Sequence, residues 1–395
     1  MRFTKLHIKF FNFQISTFHL LGVFGYIFGV LLGVGLAKQV NIQPGIIIIL
    51  ALISMCAFFL LVHISKWLTG QEILVYYHHE ISILFFCAVV LYLLKVPILP
   101  YLDITLLGVG TFLFFGRIGC HLVGCCHGSP CKYGITYGKQ HVEAGFTWYY
   151  QNVKLFPVQL IESVYVGAIV GIGCILIINE TPPGTVLILY SVFYGLFRFI
   201  IEFFRGDPER PLWLGISEAQ WTTMILIFIT LGFSYLGWLP LYIWHNWVML
   251  ILGIIVFFRI IYYYYNESFK IITYKGIKEL ADGLATLDNL TQNSNSTEGK
   301  INIYKTINGF SISIAKEMNN NDFYYCYTIS YKKELSSKIL RKIALNLKTL
   351  RKHYSTFTIL RKQNFIYHIV FKDCPYSTPT ITPTKLTPNS DLLKI

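Results

Sequence analysis

Eight apolar runs follow one another through the first two thirds of this chain. They lie at about 15–37, 44–64, 80–96, 101–122, 155–178, 184–204, 218–236 and 239–262, and most approach the ~20 residues a helix needs to span a bilayer. Lipid offers no hydrogen bonds to the backbone, so runs of this kind fold as helices. The composition agrees. The 395 residues are 54% hydrophobic and only 13% charged, with mean hydropathy +0.53, whereas a soluble domain carries about 25% charge. The expected fold class is therefore an all-α polytopic membrane protein of seven to eight transmembrane helices. The opening MRFTKLHIKFFNFQ is basic. The apolar run after it continues into a full span with no small-residue cleavage site, so a cleaved signal is not expected. Gly22, Gly25, Gly29, Gly33 and Gly35 in the first run include i, i+4 spacings that favour close helix packing. The third run is short and follows YYHHE, which suggests oblique entry into the membrane.

The transmembrane domain is read as 1–264. Its longest polar interruption, 123–154, is rich in Gly, Tyr and His and reads as an ordered cap outside the bilayer. Pro157 suits the first turn of the next helix. Ser217 and Gln220 suit a capping box opening the seventh run. A helix and linker are expected over 265–300 and a small α+β extension of order ββαββ over 301–373, followed by a disordered Pro/Thr/Ser-rich tail at 374–395. Residues 265–395 hold 19 Lys+Arg against 10 Asp+Glu, and residues 1–264 hold 14 against 10. The basic excess thus sits mostly on the extension, where it suits anionic lipid headgroups. No nucleic-acid motif accompanies it.

The segment SVFYGLFRFIIEFFRGD (191–207) places charge inside an apolar run. An ionised Arg or Asp at mid-bilayer costs roughly 2.5–3.5 kcal/mol on insertion scales. Tyr194, Arg198 and Glu202 are spaced i, i+4, i+8 and share one helix face, with Arg205 three residues further on. Such a stripe must face a protein interior or a wet cavity. In the plainer alternative, Arg198 and Glu202 pair with each other and Arg205 reaches the headgroups. Three more motifs join it: GRIGCHLVGCCHG at 116–128, FPVQLIES at 156–163 and SEAQW at 217–221. Together they bring guanidiniums, carboxylates, a phenol and amides to the membrane surface. Arg binds phosphate with a planar, permanently charged fork, which suits a phospholipid phosphodiester.

In order and spacing these motifs resemble the prolipoprotein diacylglyceryl transferase family over about residues 15–236. That family carries G-R-x-G-N-x-x-N-x-E-x-x-G, then P-x-Q-x-x-E, then Y-G-x-x-R-F-x-x-E-x-x-R with a following Asp, then S-x-x-Q. Arg117, Gly119 and Gly128 match the first motif, Gln159 and Glu162 the second, and Tyr194, Arg198, Glu202 and Arg205 the third. Gln220 belongs to the fourth. The resemblance implies about seven spans and transfer of diacylglyceryl from phosphatidylglycerol to the lipobox cysteine of a prolipoprotein in the bacterial plasma (inner) membrane. The implied partners are phosphatidylglycerol, a prolipoprotein signal peptide and membrane lipids, with no nucleic acid and no cofactor.

The implied mechanism is displacement at a glycerol carbon by a thiolate. Arg117 and Arg198 would stabilise the departing glycerol phosphate. Glu202 would orient Arg198, and Tyr194 would hydrogen-bond the headgroup or thiol. Arg205, Gln159, Glu162, Gly119, Gly128 and Gln220 would form the substrate site.

This chain also departs from the pattern. Cys120 stands where the family has Asn and Cys125 where it has Glu. The family's first-span Tyr is replaced near Phe18. Its His before a Gly-Gly pair falls near Tyr77, His78 and His79 without either glycine. The general base is open among His78, His79 and His127. These departures suit a Cys-rich branch, and they keep two alternatives: a transferase with another acceptor, or a non-catalytic lipid- or metal-binding protein. Cys120, Cys125, Cys126 and Cys131 have no standard zinc spacing. A disulfide such as Cys126–Cys131, or a packed small-residue turn, is the favoured reading over metal. Topology is divided. The basic N-terminus predicts a cytoplasmic start, whereas the resemblance implies an outward one, which is preferred. The side of the extension is open.

Overall fold

The computed structural model describes residues 7–10, 13–70, 75–207, 212–265, 274–293, 302–307, 309–319, 322–351, 354–361 and 365–373. Cys374 and the tail expected to be disordered lie outside them. The chain divides into two compact units, Met1–Ile260 and Ile261–Ser390.

Every apolar run of the first unit coincides with helical structure. These helices are α1 (Thr17–Gln39), α2 (Pro44–Thr69), α3 (Tyr76–Leu93), α4 (Ile98–Val123), α6 (Val158–Ile178), the composite span Thr185–Phe204, α9 (Glu218–Tyr235) and α10 (Trp244–Tyr265). Seven of them, all but α9, are long and apolar enough to cross a membrane by length and composition. The protein is thus a multi-pass membrane protein. Leu31, Phe59 and Phe257 and many other large apolar side chains are exposed, as a lipid-facing surface requires. The third span begins at Tyr76, four residues before the apolar run, so YYHHE is its first turn.

α4 is the central helix and packs against α1, α2, α3 and α6. Small residues permit this closeness. A Cβ on Gly29 would lie 2.7 Å from the Gly108 carbonyl oxygen of α4, and one on Gly25 would lie 3.0 Å from Phe115 Cβ. A Cβ on Gly35 would meet nothing within 4 Å beyond its own helix. Gly29→Val is therefore expected to destabilise the bundle by about 1–3 kcal/mol, read as an earlier thermal unfolding midpoint in detergent. Gly35→Ala is expected to cost nothing.

Asp103, an acid buried in α4, accepts hydrogen bonds from the backbone N–H groups of Gly184 (2.6 Å) and Leu187 (2.8 Å). It satisfies orphan donors where the sixth span begins. That span runs as α7 (Thr185–Leu189), a π-helical turn (Tyr190–Tyr194), α8 (Gly195–Ile201) and a 3₁₀ turn (Glu202–Phe204). Single π turns of this kind concentrate at functional sites. Here the turn holds Tyr190, whose hydroxyl bonds that of Tyr76 at 2.8 Å.

The segment between α4 and α6, termed the cap, is ordered. It contains a strand (Pro130–Ile135), α5 (Lys139–Glu143) and a 3₁₀ turn (Trp148–Tyr150), and Tyr137, Phe146, Tyr150 and Leu155 are buried within it. At the start of α9 the expected capping box is present: the Ser217 hydroxyl accepts from Gln220 N, and Gln220 Oε1 accepts from Ser217 N.

The second unit holds an antiparallel five-stranded sheet and two helices. Its strands are Ile303–Lys305, Ser311–Asn319, Asp322–Ser330, Tyr354–Arg361 and Ile366–Asp373, the last of which lies between the third and fourth. One helix, Ser337–Arg351, buries Ile339, Leu340, Ile343, Ala344 and Leu347, an amphipathic face of helical period. The other, Tyr274–Asn293, adds Leu280, Leu284 and Leu287 to the same core. Arg351 Nη2 bonds Asp288 Oδ1 at 2.8 Å and ties the two helices together. The sheet has one strand more than the expected ββαββ order, because the first strand-like segment breaks into a hairpin around Gly309 (φ +84°).

Candidate functional site

Three guanidiniums and three carboxylates meet where α4, α6 and the sixth span converge. Glu162, in the second turn of α6, is the hub and is only 1% exposed. Its Oε1 accepts the Tyr194 hydroxyl at 2.9 Å and pairs with Arg117 Nη2 at 3.0 Å. Arg198 Nε lies 3.7 Å from the same oxygen. Arg198 Nη1 donates to Glu202 Oε2, and Arg205 Nη1 stands 3.8 Å from that atom. Arg205 also forks onto Asp207, with Nε to Oδ1 at 3.0 Å and Nη2 to Oδ2 at 2.9 Å.

Tyr194, Arg198 and Glu202 do share one face. Arg205 differs from the helical expectation. The helix ends at Phe204, and Arg205 is extended (φ −72°, ψ 148°) and bridged to Gly128 of the cap. It is buried and does not reach outward to headgroups. Buried ion pairs gain little net stability, because desolvation offsets their attraction. Removing one partner is costly, so these six groups stand or fall together. Arg117 Nε is buried with no hydrogen-bond partner among the described residues.

The remaining candidate residues brace this cluster. Gln159 Nε2 donates to the Cys125 carbonyl at 2.8 Å, fixing the loop after α4 to α6. Gln220 uses both ends of its amide on backbone, with Nε2 donating to Phe199 O at 3.0 Å, so it pins α9 to α8. Gly119 lies under Phe18, where a Cβ would approach the ring at 3.1 Å. A Cβ on Gly128 would stand 2.3 Å from the Phe156 carbonyl oxygen, and one on Gly206 2.4 Å from Gly128 O. Two glycines therefore let the cap and the end of the sixth span cross.

The two histidines of α3 are placed apart from each other. His78 is exposed and pairs with Glu218 at 3.3 Å. His79 is buried, with its ring 4.6 Å from that of Phe58. Tyr77 turns toward the cluster instead. Its ring is 6.2 Å from that of Tyr194, and its hydroxyl accepts from Thr223 Oγ1 at 2.6 Å. Tyr77 stands with His78 and His79 where the family's histidine falls, whereas Thr223 carries no sequence signal beyond helical spacing.

His127 lies in the cap. Its Nδ1 faces the Gly128 carbonyl at 3.0 Å. A carbonyl only accepts, so Nδ1 carries the proton of the neutral ring. Burial holds this imidazole below its ordinary value of 6.5, and burial acts likewise on His141. A depressed histidine contributes stability that is full above the unfolded value and is lost as the pH falls through the folded one. The thermal midpoint is thus expected to fall from about pH 7.5 to about pH 5, and His127→Gln is expected to flatten that slope.

The four cap cysteines separate. Cys120, Cys125 and Cys126 place their sulfurs within 4.8 Å of one another, while Cys131 Sγ turns to the Tyr133 carbonyl at 2.8 Å. All four are free thiols, which corrects the expected Cys126–Cys131 disulfide. Hydrogen bonds from Cys120 and Cys125, with the charges of Arg205 and Arg117, draw the Cys126 thiol well below its ordinary range.

The family model of prolipoprotein diacylglyceryl transferases matches residues 5–236. The chain belongs to this family. Among its relatives is the phosphatidylglycerol–prolipoprotein diacylglyceryl transferase of Clostridium tetani (strain Massachusetts / E88). It is 33% identical over 132 residues, which cover 33% of this chain and 51% of that protein. The enzyme numbered 2 in Clostridium perfringens (strain 13 / Type A) is 30% identical over 141 residues, covering 35% and 51%. That of Wolbachia sp. subsp. Brugia malayi (strain TRS) is 31% identical over 154 residues, covering 37% and 54%. The chain thus spans about half the length of the curated relatives it matches. The prolipoprotein diacylglyceryl transferase match ends within one residue of the α9 C-terminus and takes in all six ionised groups of the cluster.

Proposed function

We propose that the chain transfers the diacylglyceryl group of phosphatidylglycerol to the cysteine thiol of a prolipoprotein signal peptide in a bacterial plasma (inner) membrane. The observation that carries this reading is the convergence of Arg117, Arg198 and Arg205 on Glu162, Glu202 and Asp207 within a bundle of membrane-spanning helices. The acceptor sulfur attacks the glycerol carbon, the C–S bond forms and the C–O bond breaks. The electron pair leaves with the glycerol phosphate oxygen. Arg117 and Arg198 are suited to hold that oxygen's growing charge, since preorganised cations in a dry site act there without reorganising. The unpartnered Nε of Arg117 supplies a donor for a phosphodiester oxygen. The cluster is nearly closed, so a headgroup enters by displacing overlying side chains. The exposed Ile200, Phe203 and Phe204 offer an apolar flank for acyl chains beside it.

A second reading, transfer to another acceptor, is favoured by two observations: Cys120 and Cys125 replace the polar and acidic residues of the family motif, and on α3 it is Tyr77 rather than a histidine that faces the cluster. Complementation of cells depleted of their own diacylglyceryl transferase distinguishes the two. Rescue by the wild type and not by Arg117→Ala or Arg198→Ala supports the first reading. Membrane-inserted wild type that fails to rescue supports the second.

A further inference from the structure

The three sulfurs of Cys120, Cys125 and Cys126 have no role in the ion cluster, yet they converge beside it. Cys120 ends α4. Gly124 (φ +88°) and Cys126 (φ +52°) then take left-handed backbone and fold the chain back, bringing Cys125 Sγ to 3.8 Å from the Cys120 carbonyl. A non-glycine residue adopts that region only where the surrounding structure holds it there. Gln159 fixes the reversal by its bond to the Cys125 carbonyl.

We propose that Cys120, Cys125 and Cys126 are the three protein ligands of one zinc-class ion whose fourth position is open to an incoming thiol. The geometry fits. Zinc–sulfur bonds of about 2.3 Å in a tetrahedron set sulfurs about 3.8 Å apart, and these three already lie within 4.8 Å of one another. Soft thiolate donors select Zn(II) or Cu(I) over hard cations. Among the described residues the group has no fourth His, Cys, Asp or Glu. Three protein ligands and a vacant position are the pattern of catalytic zinc, whereas structural sites are closed. Three thiolates on a divalent ion leave one negative charge, and Arg117, three residues before Cys120 in α4, carries the opposite sign.

The open position rests on the reading of the site as a thiol-alkylating transferase. Coordination releases the acceptor's thiol proton to water and leaves a metal-bound thiolate aimed at the lipid. This supplies the activation that a histidine base would otherwise give, at a site whose α3 face presents Tyr77.

The test uses the full chain purified in detergent under a reducing agent and loaded with Zn²⁺ or Co²⁺ alone. The expected result is about one metal per chain by elemental analysis, with thiolate-to-cobalt absorption in the Co²⁺ form. Cys120→Ser, Cys125→Ser and Cys126→Ser each abolish the absorption, while Cys131→Ser keeps it. Thermal unfolding of each variant establishes that it is folded. A cysteine-containing lipobox peptide then shifts the cobalt spectrum, and its serine counterpart does not. Unaltered metal content in the three variants, or free thiols with no bound metal in the wild type, overturns the site without touching the arginine-based reading. A spectrum indifferent to the cysteine peptide overturns the open position.

Discussion

Glu162→Gln is expected to lower the transfer rate by at least about two orders of magnitude and to destabilise the fold by about 3–5 kcal/mol. The substitution changes almost no volume. It removes the one negative charge that Arg117 and Arg198 share and that the Tyr194 hydroxyl donates to. Two guanidiniums are then left buried and facing each other across a neutral amide. The amide nitrogen or oxygen meets donors on every side, so one of those bonds is lost as well. Tyr194→Phe is the control. It deletes a single hydrogen bond and is expected to cost about 1 kcal/mol. Thermal unfolding of the detergent-solubilised variants, beside initial transfer rates, separates the two effects. Equal midpoints for wild type and Glu162→Gln would show that the carboxylate is not the hub.

Arg198→Lys is expected to lose about two to three orders of magnitude in transfer while keeping the charge. Arg198 reaches Glu162 through Nε and Glu202 through Nη1, two directions from one planar group. A lysine ammonium is a single point of charge on a flexible stem and does not hold both carboxylates and a phosphate in fixed geometry. Arg198→Ala is expected to be worse, because Glu202 then loses its short pairing with Arg198 and keeps the longer contact to Arg205. The informative comparison is the ratio of lysine to alanine rates. A lysine variant near wild-type rate would reduce the role of Arg198 to bulk charge.

Much of this arrangement was legible in the sequence because helices are periodic. The spacing of Tyr194, Arg198 and Glu202 fixes a common face whatever the neighbours do, and the apolar runs mark the helices themselves. Periodicity does not give the azimuth of a helix toward its partners. It leaves open which of Tyr77, His78 and His79 turns toward Tyr194, and it is Tyr77 that does. It also does not extend past a helix end. Arg205 leaves the helix and crosses to Gly128, a contact made by two glycines far apart in sequence. The cysteine cluster was visible as a set of four. Which three meet is decided by left-handed residues at Gly124 and Cys126, and Cys131 departs into the strand Pro130–Ile135. The pairing of Glu162 with Arg117 joins two helices, so no local pattern encodes it.

The most direct measurement follows the lipid itself. The full chain is reconstituted in vesicles containing phosphatidylglycerol and given a lipobox peptide, and the peptide is weighed by mass spectrometry. The peptide is predicted to gain one diacylglyceryl group on its cysteine with the wild-type chain, and to gain none when Arg117 and Arg198 are both replaced by alanine in a variant that still inserts. Transfer that persists at the wild-type rate in the doubly substituted chain would contradict the account.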